Sequence, residues 1–279
     1  MIWSRGGAVK QGEPVVLVAG QGEFAVRVAE ELKRAGAELM VLSVERDSSA
    51  EFAPFARTVL DVQVAEGAKA LEAVKKAGIR KVVLVGKIVK RRIYEPGFAP
   101  DAVSGQVLKS AGREKGDDRI LKALAIFLKA NGITVFGVHE LIPEWVTPGR
   151  VLSRHQPDAA ILEDLKFGLR QARAIGLLDI GQAVAVKKGT VIAVEGIEGT
   201  DAMIDRVGAL GIREAVLVKA AKPQQDLRFD IPLVGIETLE RAARAGFAAV
   251  GAEKNRTLLA EPGRMTSLAD RLSLVLTGV

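Results

Sequence analysis

Continuous apolar runs alternate with amphipathic stretches along the first half of the chain. Residues 15–19 are apolar throughout, as expected of a strand covered on both faces, and they end at Gly20-Gln21-Gly22. Residues 23–34 carry Phe24, Val28 and Leu32 at helical spacing and stop at Gly36. The alternation then predicts a strand over 39–44, a helix over 65–76 before Gly78, and a strand over 81–85 before Gly86. Asp117-Asp118 open a further helix with Ile120, Leu121, Leu124, Phe127 and Leu128 on one stripe. Asn131-Gly132 stop it, and a strand over 133–138 follows. Strands alternating with helices under short glycine punctuation predict a mainly parallel sheet with helices on its faces.

Pro143-Glu144-Trp145-Val146-Thr147-Pro148-Gly149 interrupts this pattern and reads as a passage between domains, with Trp145 as its packing anchor. Beyond it, Ile161, Leu162, Leu165, Leu169 and Ala172 mark a helix ending at Gly176. Residues 184–186 and 191–194 flank Lys187-Lys188-Gly189-Thr190 as a hairpin, and Thr200 is placed to cap a helix containing Met203, Ile204, Val207 and Leu210. Strands are expected over 215–218, 231–235 and 248–251, a helix over 237–245, and a closing amphipathic helix over 265–276. The fold class expected is α/β: an N-terminal extension (1–13), a Rossmann-like parallel-sheet domain (14–140), a linker (141–156) and a C-terminal mixed α/β domain (157–279).

Composition narrows the chemistry. At 279 residues and 48% apolar, the chain is long enough for two cores and too hydrophobic for disorder. It has no Cys, which removes disulfides, thiol nucleophiles and thiolate metal sites, and its two His, His139 and His155, are unclustered. A metal would therefore be held by carboxylates, which favours Mg²⁺ or Mn²⁺. Lys and Arg number 40 against 34 Asp and Glu, a charge of +6 that suits an anionic ligand or surface. Aromatic residues make up only 4%, too few for a base-stacking platform, so nucleic acid is not an expected partner. No apolar run approaches the roughly 18 residues of a membrane span, and residues 1–10 lack a signal-peptide pattern, so a cytoplasmic protein is expected.

Two regions carry candidate chemistry. Gly20, Gln21 and Gly22 lie between a strand and a helix, where backbone N–H groups can receive an anion. Ala25 stands where a dinucleotide fingerprint has its third glycine, and Glu45 lies about 20 positions on. A tight turn without ligand, a phosphate or nucleotide site and an NAD-type site all fit this spacing. In the second half, Asp179, Gln182, Glu195, Glu198, Thr200, Asp201, Lys219, Lys222, Gln224, Gln225, Asp226, Arg228 and Asp230 fall at strand ends and in loops. Such a set suits metal-assisted attack on a phosphate, with carboxylates holding the ion and lysines neutralising phosphate oxygens. A plainer reading gives Thr200 and Asp201 to a helix start, Asp226 to a turn, Asp230 to a strand start and Lys219 to a solvated strand end.

At these residues the sequence resembles the UDP-2,3-diacylglucosamine pyrophosphatases of lipid A biosynthesis, in the metal-dependent two-domain form. The matching segments are Lys115-Gly116-Asp117-Asp118, Leu178-Asp179-Ile180-Gly181-Gln182, residues 193–203 around Glu195-Gly196-Ile197-Glu198-Gly199-Thr200-Asp201, residues 219–232 around Lys222-Pro223-Gln224-Gln225-Asp226-Leu227-Arg228-Phe229-Asp230-Ile231-Pro232, and Arg241-Ala242-Ala243-Arg244-Ala245-Gly246. The resemblance runs from about residue 14 to the end. It implies hydrolysis of UDP-2,3-diacylglucosamine to UMP and 2,3-diacylglucosamine 1-phosphate (lipid X) with Mg²⁺ or Mn²⁺. It also implies substrate bound between the domains, with the acyl chains in an apolar cavity.

Transient contact with the inner membrane surface and a homodimer are compatible with such a substrate. The family's essential carboxylate corresponds to Asp230. With it, Lys219 and Lys222 are expected in catalysis. Substrate contacts are expected from Gly20, Gln21, Gly22, Lys115, Asp117, Asp118, Asp179, Gln182, Thr200, Gln225 and Arg228, and metal ligation from Glu195, Glu198, Asp201 and Asp230. The chain departs from the family at Phe24-Ala25, where Leu-Pro is common, at Lys87 and Lys90, and in its first dozen residues. A nucleotide-binding oxidoreductase using the glycine loop and a non-enzymatic two-lobe sensor remain as rivals.

Overall fold

The computed structural model describes residues 8–44, 49–86, 93, 95–112 and 117–279, without the side chains of 117 and 118. Glu45, Lys87, Lys90 and Lys115 lie outside the described residues, as do the side chains of Asp117 and Asp118. The chain divides into two compact units, Met1–Pro143 and Glu144–Val279, and each builds its own sheet.

In the first unit, β1 (Pro14–Ala19), β2 (Glu38–Val44), β3 (Ala56–Val62), β4 (Lys81–Val85) and β5 (Thr134–Phe136) form a parallel sheet of order β3-β2-β1-β4-β5. This is the order of a doubly wound sheet, whose topology reverses between β1 and β4. The central strand β1 is apolar because both of its faces are covered, and Val15, Val16, Leu17 and Ala19 are fully buried. Helix α1 (Glu23–Arg34) buries Ala25, Val28, Ala29 and Leu32, one stripe at helical spacing. It closes in a Schellman motif: Gly36 takes φ 93°, its N–H reaches Lys33 O at 3.0 Å, and Ala37 N reaches Leu32 O at 2.9 Å. Helices α2 (Gly67–Lys76), α3 (Ala102–Ser110), α4 (Asp117–Ala130) and the single turn α5 (Val138–Leu141) complete the unit. The strand expected to run to 138 therefore stops at Phe136, because Gly137 starts α5, with its N–H held by Glu140 at 2.8 Å.

In the second unit, α6 (Ala159–Leu177), β6 (Ala183–Lys187), β7 (Thr190–Val194), α7 (Thr200–Ala209), β8 (Val216–Lys219), β9 (Leu233–Val234), α8 (Ile236–Arg244), β10 (Ala249–Ala252), β11 (Leu258–Leu259), α9 (Pro262–Arg271) and β12 (Val275–Gly278) follow in order. The main sheet is mixed, of order β12-β10-β8-β6-β7, with β6 antiparallel to both neighbours. Alternate residues serve opposite cores. Val184, Val186, Val216 and Val218 pack with Leu165 and Ala172 of α6, while Ala183, Ala185 and Leu217 pack with Met203, Ile204 and Leu239 of α7 and α8. Gly168 lets α6 close on the sheet, since a Cβ there would lie 2.7 Å from Val218 Cγ2. The β6–β7 turn places Lys188 and Gly189 at φ 48° and 68°, the positive values of a two-residue hairpin turn. Buried Asp164 of α6 accepts from both turn amides, Lys188 N at 2.8 Å and Gly189 N at 2.6 Å.

The closing helix ends earlier than the sequence pattern predicts. Pro262 starts α9, Arg271 ends it, and Ser273 turns the chain at φ 53° into β12, which pairs with β10. Residues 146–152, expected as linker, are bound to the second unit: Val146 bridges Leu258, Thr147 N reaches Thr257 O at 3.0 Å, and Leu152 N reaches Leu276 O at 2.8 Å. Among the described residues, no helix is long and apolar enough to cross a membrane.

Candidate functional site

Antiparallel β6 brings its own start to the edge where β8 and β10 end. Ala183 pairs with Lys219, and Lys219 with Ala252, so Gln182, Lys219 and Glu253 lie along one end of the sheet. Glu195, just past β7, joins them through Glu195 N to Ala183 O at 2.9 Å. Gly181 permits this crowding, because a Cβ there would collide with the Glu195 carbonyl oxygen.

A buried relay runs through this edge. Lys219 Nζ donates to Thr200 Oγ1 at 3.0 Å, and Thr200 Oγ1 donates to Glu195 Oε1 at 2.6 Å. The second carboxylate oxygen of Glu195 accepts from Gln182 N at 2.9 Å. Lys219, Glu195 and Thr200 are all buried. Burial pushes the Lys219 ammonium below the usual lysine range, and the nearby charges of Glu195, Asp201 and Asp230 act in the opposite direction. Thr200 is therefore not the helix cap expected from its position. Gly199, at φ 84°, takes the cap, and Thr200 begins α7 with its hydroxyl committed to Lys219 and Glu195.

The loop after β8 carries a second chain of contacts. Lys222 N donates to Gln225 Oε1 at 3.0 Å, and Gln225 Nε2 donates to Asp230 Oδ2 at 2.5 Å. Lys222 Nζ pairs with Asp179 Oδ1 at 2.5 Å. Asp230 itself is exposed, and the next residues are anchored by Leu258 N donating to Pro232 O at 2.8 Å. Asp230 thus combines access to solvent with a fixed mount. Arg228 folds back on its own loop, with Nη2 2.7 Å from Asp226 Oδ2 and the guanidinium 5.1 Å from the Phe229 ring centre.

Each of the four carboxylates expected as metal ligands has a protein partner. Glu195 is held by Thr200 and Gln182, Glu198 pairs with Arg206 at 2.9 Å, Asp201 lies 3.6 Å from Arg241, and Asp230 is held by Gln225. Among the described residues, no three Asp, Glu or His side chains are grouped to hold a metal ion. This arrangement does not fit a preformed carboxylate cage.

In the first unit, Gly20, Gln21 and Gly22 sit at the carboxyl end of β1, beside the end of β4, where the sheet order reverses. Gly20 N donates to Val85 O at 2.8 Å, and a Cβ on Gly86 would lie within 2.9 Å of Gly20 O. Open α/β sheets bind ligands at this crevice. The pattern reading missed Glu253, although it follows the buried strand β10 as Lys219 ends the buried strand β8.

The comparisons with known proteins cover both units. The family description "LpxI N-terminal domain" matches residues 14–145, and "LpxI C-terminal domain" matches 148–277. A relative from Caulobacter vibrioides, named UDP-2,3-diacylglucosamine pyrophosphatase LpxI, is 35% identical over 278 residues, covering 94% of this chain and 96% of its own. Among solved structures, an ADP complex of N5-carboxyaminoimidazole ribonucleotide synthetase aligns at 16% identity, TM-score 0.26, over 71% of this chain and 44% of its own. An N5-carboxyaminoimidazole synthetase from Staphylococcus aureus aligns at 11% identity, TM-score 0.24, over the same shares. The chain thus spans less than half of these structures. With both domain descriptions matched in order and a relative aligned nearly end to end, the chain belongs to the LpxI family.

Proposed function

We propose that this protein hydrolyses the diphosphate of UDP-2,3-diacylglucosamine to UMP and lipid X in lipid A biosynthesis. The observation that carries the reading within the structure is the buried Lys219–Thr200–Glu195 relay at one sheet edge, followed by a loop that holds exposed Asp230 through Gln225. A water oxygen attacks one phosphorus, the bridging P–O bond breaks, and the leaving phosphate carries away the bond's electron pair. Asp230 orients that water and takes its proton, with Gln225 fixing the carboxylate. Lys219 and Lys222 place positive charge where the phosphate oxygens gather charge.

The glycine turn of the first unit, at that sheet's reversal point, suits a phosphate or nucleotide group. We also propose that the reaction requires Mg²⁺ or Mn²⁺; since the carboxylates form no cage, no catalytic step is assigned to the ion. The same proposal places the work at the cytoplasmic side of the inner membrane, where a diacylated substrate would be held by its acyl chains.

The test is UMP release from UDP-2,3-diacylglucosamine, with UDP-N-acetylglucosamine as comparison. Each buried CH₂ contributes about 0.8 kcal/mol, so the acylated compound should have a kcat/KM higher by about 100-fold or more. EDTA should abolish release, and added Mg²⁺ or Mn²⁺ should restore it. Equal kcat/KM for the two compounds, or full activity after exhaustive chelation, would count against the substrate and the metal requirement respectively.

A further inference from the structure

Glu253 is a carboxylate that the proposed chemistry does not use, and it is only 1% exposed. It lies just past β10, where its N–H donates to Lys219 O at 2.9 Å. One carboxylate oxygen accepts from Arg173 Nε at 2.9 Å and Nη2 at 2.6 Å, with Arg256 Nε 3.6 Å away. The other accepts from Ala221 N at 2.8 Å. Arg256 in turn donates through Nη2 to Lys222 O at 3.2 Å. The carboxylate therefore grips the loop that leaves β8 from the buried side, at Ala221 directly and at Lys222 through Arg256. Lys222 N holds the Gln225 amide, and that amide holds Asp230.

We propose that Glu253 is a positioning residue, fixing the Lys222–Gln225–Asp230 loop through Ala221 N and Arg256; the inference rests on the diphosphatase reading. A buried carboxylate with a dedicated backbone partner and two guanidinium groups has the rigidity for this task, and a small misplacement of a catalytic group is costly in rate. Glutamine at 253 is isosteric but turns one acceptor into a donor. It must then face either Ala221 N–H or the Arg173 fork with an N–H of its own.

The experiment compares wild type, Glu253→Gln, Asp230→Asn and the double variant on UDP-2,3-diacylglucosamine, with kcat scaled to the folded fraction. Glu253→Gln should lower kcat by about 10-fold or more while KM stays within about 3-fold. In the Asp230→Asn background the same change should cost little more, because the group it positions is already disabled. Arg256→Gln, at a partly exposed site, should lower kcat in the same direction, and it carries the test if Glu253→Gln does not fold.

A normal kcat in folded Glu253→Gln with only the melting temperature reduced would overturn the proposal. Fully additive losses in the double variant would overturn it too. Failure of the underlying reading looks different: wild type would release no UMP, or Asp230→Asn would match it.

Discussion

Asp230→Asn is expected to yield a folded protein that still binds UDP-2,3-diacylglucosamine but turns it over about 100-fold or more slowly. The side chain is exposed, so its replacement disturbs no core. Asparagine keeps an oxygen for Gln225 Nε2, now 2.5 Å from Asp230 Oδ2, and the strand start stays anchored through Pro232 O. What is lost is the negative charge and the capacity to accept a proton from water. Stability should change by about 1 kcal/mol or less, as for a surface substitution away from buried networks. Steady-state kinetics beside a urea titration separates the two effects. Near-normal kcat would transfer the role to Glu195, Glu198 or Asp201.

Lys219→Met should be damaging in both respects. It removes the cation from a buried relay and leaves Glu195 in the interior with Thr200 and Gln182 N as its remaining partners. Breaking a buried pair on one side typically costs about 3–5 kcal/mol. Turnover should fall by about 100-fold, the loss typical of removing a preorganised charge at a reacting oxyanion.

The pH dependence has a definite sign. Burial lowers the Lys219 pKa in the folded protein below its ordinary 10.5. Between the two values the unfolded chain binds more protons, so this residue's contribution to stability rises with pH across that window. The stability gap between wild type and Lys219→Met should therefore widen as pH climbs towards 10.5. Urea unfolding at several pH values checks this, and a gap that narrows would mean the folded state favours the ammonium.

Strongly periodic elements were readable because burial dictates their residues. Residues 23–34 formed the expected helix to the residue, and residues 81–85 the expected strand. The edge strand β3 was not predicted: Ala56–Val62 is half exposed, so its residues follow no clean buried pattern. Helix α3 was also missed, because it buries little beyond Ser104, Val107 and Leu108, although Asp101 caps it through Ser104 N at 2.8 Å. At 274–276 the Leu-Val-Leu run extended the apparent stripe of α9, and only its pairing with β10 identifies a strand.

The polar site shows the same division. Residue types and strand ends were visible in sequence, but partners were not. Nothing local shows that Thr200 serves Lys219 rather than its own helix start. That choice depends on β6 running antiparallel, a long-range fact.

The grip of Asp164 on the β6–β7 turn bears on how the second unit opens. Turn amides normally exchange with solvent through small local fluctuations, but those of Lys188 and Gly189 are bonded to a buried carboxylate on α6. Their exposure requires α6 to lift from the sheet, which also uncovers Leu165 and Ala172 against Val184 and Val218. Helix and hairpin are thereby joined into one cooperative opening unit. In hydrogen exchange, these two turn amides should report the undocking of a helix more than 20 residues away in sequence.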